Sequence, residues 1–149
     1  MPQINITNIT DTYHLNENLA KELILYILNC ERFDAEEISL ILANDDYINK
    51  LKQQFFDEDV LTDTITFNLN DIEEPIEGEM YLSADSIAGN AEDLKISLDR
   101  ECANVIVHSV LHLLGYEDHK DQLRQKMFEI QEQYINLFDY ENILSVKVQ

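Results

Sequence analysis

The sequence predicts an α+β fold on three observations. Stretches with apolar residues at every second position alternate along the chain with stretches whose apolar residues fall three or four apart. The 149 residues are the length of one domain, enough to bury roughly 70% of the surface that the unfolded chain exposes. The three glycines and two prolines do not cluster, so nothing marks a linker or a repeat. A single domain over residues 1–149 is therefore expected.

The elements follow in order. Residues 3–7 alternate Ile4 and Ile6 with polar residues and read as a short strand. Residues 16–30 place Leu19, Leu23 and Ile27 at helical spacing, with Asn16 as the N-cap. Residues 37–43 are short, apolar and rich in Ile and Leu, which suits a buried strand. Residues 45–55 carry Tyr47, Ile48, Leu51 and Phe55 on one helical face. Residues 63–69 alternate cleanly, Ile65, Phe67 and Leu69 against Thr64, Thr66 and Asn68. Residues 76–82 alternate too, and Pro75 and Gly78 mark them as an edge strand. Residues 83–94 form a weaker helix.

Residues 97–114 read as the best helix of the chain. Ser97 caps it, Asp99 and Glu101 suit its positive end, and Gly115 stops it. Its apolar stripe is Ala103, Ile106, Val107, Val110, Leu111 and Leu114. A last helix, 121–138, presents Leu123, Met127, Ile130, Tyr134 and Leu137 to the core. That makes about five helices and four strands. The final ten residues read as a loosely packed tail.

Composition narrows the function. Hydrophobic residues at 45% and charged ones at 27% are ordinary for a globular chain, and no apolar run approaches the ~20 residues of a membrane span. Met1-Pro2-Gln3-Ile4 lacks the basic and apolar regions of a signal peptide. Cys30 and Cys102 are too few for a disulfide framework, so a cytoplasmic location and no membrane association are expected. Thirty acidic against ten basic residues leave a net charge of −20. Such a chain repels nucleic acid unless something offsets its charge.

Three of the four histidines, His108, His112 and His119, fall within twelve residues. On a helix, positions i and i+4 lie one turn apart on the same face, so the rings of His108 and His112 can converge on one ion. Gly115 lets the chain leave the helix and double back, and a ligand just beyond it can supply a third contact. Three protein ligands with an open position describe a catalytic zinc site. Cys102, six residues before His108, sits on the wrong face to join them and reads as a buried, inert thiol. Ser109 occupies the place where a zincin protease has its general-base glutamate, which argues against peptide hydrolysis by that route.

At this level of detail the sequence resembles the YbeY endoribonuclease family. His108-Ser109-Val110-Leu111-His112-Leu113-Leu114-Gly115-Tyr116 follows that family's H-G-x-L-H-L-x-G-Y-D-H. Thr62-Asp63-Thr64-Ile65-Thr66-Phe67 resembles its T-D-V-L-S-F strand. Gly78-Glu79-Met80-Tyr81-Leu82-Ser83 resembles its G-D-I-x-I-S strand, followed by a helix with Asn90-Ala91-Glu92. The likeness runs from about residue 37 to residue 128.

The resemblance implies a zincin-like fold with a mixed four-stranded sheet and one zinc ion per chain. It also implies single-strand-specific RNA cleavage, maturation of the 3′ end of small-subunit rRNA, and ribosome quality control, with rRNA and the ribosome as partners. The family's third ligand lies ten residues after the first histidine. Here that is Asp118, with His119 one residue later, and Asp118 needs no insertion. The expected metal ligands are thus His108, His112 and Asp118, with His119 as the alternative third. An aspartate in that place leaves the site one charge less positive than three histidines would.

The family often has an arginine before its T-D block, and the ungapped match here is Phe56. Loss of that bidentate phosphate clamp weakens the catalytic expectation. Asp63 and Glu117 are the candidate general bases, and Lys120, Arg124 and Lys126 the cations nearest the metal loop. A basic protein partner or the ribosome would offset the acidic surface. The alternative to an endoribonuclease is a ribosome-associated metal-binding factor without catalysis. A third reading is a metal hydrolase acting on a small molecule.

Overall fold

The computed structural model describes residues 2–56, 64–70 and 74–147. Its elements are β1 (Gln3–Asn8), β2 (Tyr13–Leu15), α1 (Glu17–Glu31), β3 (Ala35–Ala43), α2 (Asp45–Phe56), β4 (Thr64–Asn68), β5 (Ile76–Ser83), α3 (Ala84–Leu94), α4 (Leu98–Leu113), α5 (Asp121–Leu137) and β6 (Leu144–Val146). The predicted α+β class holds, with five helices and a mixed four-stranded sheet.

That sheet has the order β1-β3-β5-β4. β1, β3 and β5 run parallel, and β4 runs antiparallel to β5. Parallel neighbours need a crossover, and α1 supplies the one between β1 and β3. The caps at Asn16 and Ser97 are those the sequence predicts, and Ser83 adds a third. Asn16 accepts from the Leu19 N–H, Ser83 from Ser86 and Ser97 from Arg100, each freeing the first turn of an orphan donor.

Alternation along the strands sorts the core into two layers. Leu40, Leu42, Met80 and Leu82 belong to the larger cluster, with Leu23, Ile24 and Ile27 of α1 and Ile106, Val110 and Leu111 of α4. Ile65, with Ile48 of α2 and the partly buried Phe67 and Tyr81, forms a smaller cluster on the opposite face. The whole predicted stripe of α4 is buried, so this helix is the best-anchored one in the chain.

Three expectations change. β5 is not an edge strand: it lies between β3 and β4. Pro75 precedes the strand and so removes no ladder bond, while Gly78 answers to packing. A Cβ there would stand 2.8 Å from Leu113 Cδ2 and 3.0 Å from the Phe67 carbonyl oxygen, so glycine is what lets α4 approach the sheet. Residues 140–147 of the expected tail are not loosely packed either. Leu144 pairs with Leu15 in an antiparallel β2–β6 ribbon, and Ile143 and Leu144 are buried. In α5, Leu137 is exposed and Ile135 is buried beside Tyr134, a one-step rotation of the expected face.

Candidate metal centre

Helix α4 carries His108 and His112 one turn apart. Its C-terminus is shaped by Gly115, whose φ of +103° lies in the left-handed region that a side chain disfavours. The Gly115 N–H donates to the His112 carbonyl at 3.1 Å and the Tyr116 N–H to the Leu111 carbonyl at 3.0 Å. The turn brings Asp118 back over the helix end. Asp118 Oδ2 lies 3.6 Å from His108 Nε2 and 3.5 Å from His112 Nε2. The two Nε2 atoms are 3.0 Å apart, with the rings nearly perpendicular.

Each ring is held from behind. His112 Nδ1 lies 3.1 Å from the Tyr116 carbonyl oxygen. A carbonyl only accepts, so Nδ1 carries the proton and Nε2 the lone pair. His108 Nδ1 lies 3.1 Å from Gln131 Oε1 of α5, an acceptor that favours the same tautomer. With both rings neutral, two imidazole lone pairs and a carboxylate oxygen converge on one point. Such a donor set fits a divalent cation: imidazole nitrogen and carboxylate oxygen are ordinary zinc ligands, and the outward nitrogens have the acceptors that orient metal-bound histidines. Among the described residues, the ligand atoms of His108, His112 and Asp118 all lie within 4.8 Å of one another, a group able to hold a metal ion.

The remaining candidates sit elsewhere. His119 is exposed, its Nδ1 3.4 Å from Glu117 Oε2, so the two residues face each other rather than the three ligands. Ser109 is fully buried, and its hydroxyl donates to the Val105 carbonyl at 2.7 Å and meets Thr64 Oγ1 of β4 at 2.8 Å. It fastens α4 to the sheet. Cys102 is buried, and burial pushes its thiol well above the ordinary range, as an inert core thiol requires. Thr62, Asp63 and the side chain of Phe56 lie outside the described residues. Lys120, Arg124 and Lys126 are exposed. Arg124 donates to Asp121 Oδ1 at 3.2 Å and to the Asp118 carbonyl at 3.4 Å. With His108, Asp118, Met127, Phe128 and Gln131 it lines a cavity of about 240 Å³ beside the ligands.

Gln131 is the residue of the candidate site that the sequence pattern leaves out. Its signal is present: it lies four residues after buried Met127 and three before buried Tyr134, a polar residue inside an apolar stripe.

Comparison with known proteins decides the relationship. The profile of the family described as Endoribonuclease YbeY matches residues 5–139. The chain belongs to that family. An Endoribonuclease YbeY of Chlorobium limicola is 35% identical over 133 residues, covering 89% of this chain and 92% of that protein. The Endoribonuclease YbeY of Chloroherpeton thalassium is 35% identical over 130 residues, covering 87% and 92%. A solution structure of a Thermotoga maritima protein superposes with a TM-score of 0.66 at 30% identity, over 90% of this chain and 87% of that one. The YbeY match begins well before residue 37, so β1 and α1 belong to the shared fold along with the three sequence blocks.

Proposed function

We propose that this chain is a zinc-dependent endoribonuclease specific for single-stranded RNA. In this reading it forms one domain that works in the cytoplasm on the 3′ end of small-subunit rRNA and in ribosome quality control. The observation that carries it is the convergence of His108, His112 and Asp118, each histidine oriented by an acceptor behind it, in a chain of the Endoribonuclease YbeY family.

His108 and His112 offer Nε2, and Asp118 offers Oδ2, to one ion per chain. When bound, that ion supplies Lewis acidity toward a phosphodiester oxygen and lowers the pKa of water to ~7. Gln131 and the Tyr116 carbonyl stand behind Nδ1 of the two rings and so turn each Nε2 toward the ion. Arg124, on the wall of the adjoining cavity, is the cation placed to meet a substrate phosphate. It stands in for the clamp that the family arginine would give at Phe56. The charge of −20 makes rRNA binding dependent on the ribosome or on a basic protein partner. No helix among the described residues is long and apolar enough to cross a membrane.

The second reading, a ribosome-associated metal factor without catalysis, is favoured by that charge and by Phe56 in the arginine's place. Incubation of the zinc-loaded chain with labelled single-stranded rRNA separates the two. Cleavage that disappears in His112→Ala supports the endoribonuclease, and intact RNA at every zinc concentration supports the second reading.

A further inference from the structure

We propose that Glu31 is a positioning residue of the metal centre, an inference that rests on the metal reading above and extends it to helix α1. Glu31 ends α1, where the helix dipole is negative and repels a carboxylate, and no basic residue in the last turn offsets it. Helix formation therefore does not explain an acid at this place. Its contacts do.

Tyr116 Oη donates to Glu31 Oε1 at 2.6 Å, and Tyr134 Oη donates to Oε2 at 2.5 Å. These are the lengths of charge-assisted O–H···O⁻ bonds, so one carboxylate holds two phenols from distant parts of the chain. Each phenol stands next to the support of one metal histidine. Tyr116 is the residue whose carbonyl accepts from His112 Nδ1. Tyr134 lies three residues after Gln131 on α5, and Gln131 Oε1 holds His108 Nδ1. The Tyr116 backbone is tied locally, through its N–H to Leu111, to the helix it caps. Glu31 supplies the long-range tie, from 85 residues away. It fixes the loop that leads to Asp118 against α1 and brings the supports of both histidines to one anchor.

The test measures zinc affinity by competition with a chromogenic chelator, together with the nitrogen chemical shifts of the His112 ring. Glu31→Ala is expected to weaken zinc binding ~10–100-fold, the usual effect of losing a group that orients a ligand, and to mix the His112 tautomers. Tyr116→Phe, a milder change that decides the matter if Glu31→Ala fails to fold, is expected to do the same. Glu31→Gln keeps one carbonyl acceptor and should recover part of the loss. Tyr134→Phe should lower the melting temperature while leaving the His112 signals as in the wild type. Wild-type affinity and a single His112 tautomer in both Glu31→Ala and Tyr116→Phe would overturn the proposal, whatever their stability. Absence of zinc binding by the wild type would overturn the metal reading itself.

Discussion

The Nε2 atoms of His108 and His112 face each other at 3.0 Å, each on a ring whose Nδ1 lies 3.1 Å from an acceptor oxygen. Two lone pairs at that distance repel, and Asp118 Oδ2 at 3.5 Å from His112 adds a negative charge to the same space. A divalent cation bound among them relieves all three at once. The first prediction is that the two candidates for the third ligand separate sharply. Asp118→Asn should reduce zinc affinity by more than the ~10–100-fold that loss of a supporting hydrogen bond brings. His119→Ala, which removes a side chain directed at Glu117, should leave it unchanged. Equilibrium dialysis against a zinc buffer checks both.

Gln131→Leu keeps the volume on α5 and removes the acceptor behind His108. The ring is then free to place its proton on Nε2, the ligating atom. Zinc affinity should fall ~10–100-fold with little change in stability. Histidine ring shifts would report the tautomer directly, and a His108 ring still protonated only on Nδ1 would contradict the assignment.

Two glycines should respond differently to alanine. At Gly78 the obstacle is steric: Leu113 and the Phe67 carbonyl lie within 3.0 Å of the added methyl group, and α4 must yield. Gly78→Ala should lower stability by ~1–3 kcal/mol, as overpacking of a close-packed core does. At Gly115 there is open space, and the obstacle is φ of +103°. Gly115→Ala should cost about 1–3 kcal/mol of backbone strain and, because this turn carries Asp118 back to the histidines, should also weaken zinc binding. Urea denaturation with parallel zinc titration distinguishes the two.

Alkaline pH tests the Glu31 clamp by an independent route. The hydrogen bond to Glu31 raises Tyr116 from 10.0 to about 12, and burial, followed by Glu31, raises Tyr134 further. The folded chain thus keeps protons that the unfolded chain releases. Stability from these phenols is complete below pH 10.0 and is lost as pH rises toward about 12 and beyond. Denaturation midpoints measured from pH 9 upward should fall steeply in the wild type. The Tyr116→Phe, Tyr134→Phe double variant should show a shallower fall.

Much of this was legible along the chain. Period-two and helical spacing locate the four main strands and the five helices, and Asn16 and Ser97 cap their helices as short polar residues do. The i,i+4 histidines and the glycine after them mark the candidate metal centre in the sequence alone. What stayed hidden depends on partners far away in sequence. Gly78 reads as a strand breaker until Leu113 is seen beside it. The three-residue strands β2 and β6 are too short to show a period, and each is stable only through the other end of the chain. Glu31 looks like one more acid on a chain of thirty, because its two phenols lie 85 and 103 residues on.

The proposed activity turns on whether His108, His112 and Asp118 hold one metal ion together. Elemental analysis of zinc per chain, on protein purified without chelator and then dialysed against a zinc buffer, tests it most directly. One zinc is expected per wild-type chain and none in His112→Ala. Wild-type chain that returns without zinc, or a His112→Ala variant that retains a full equivalent, would contradict it.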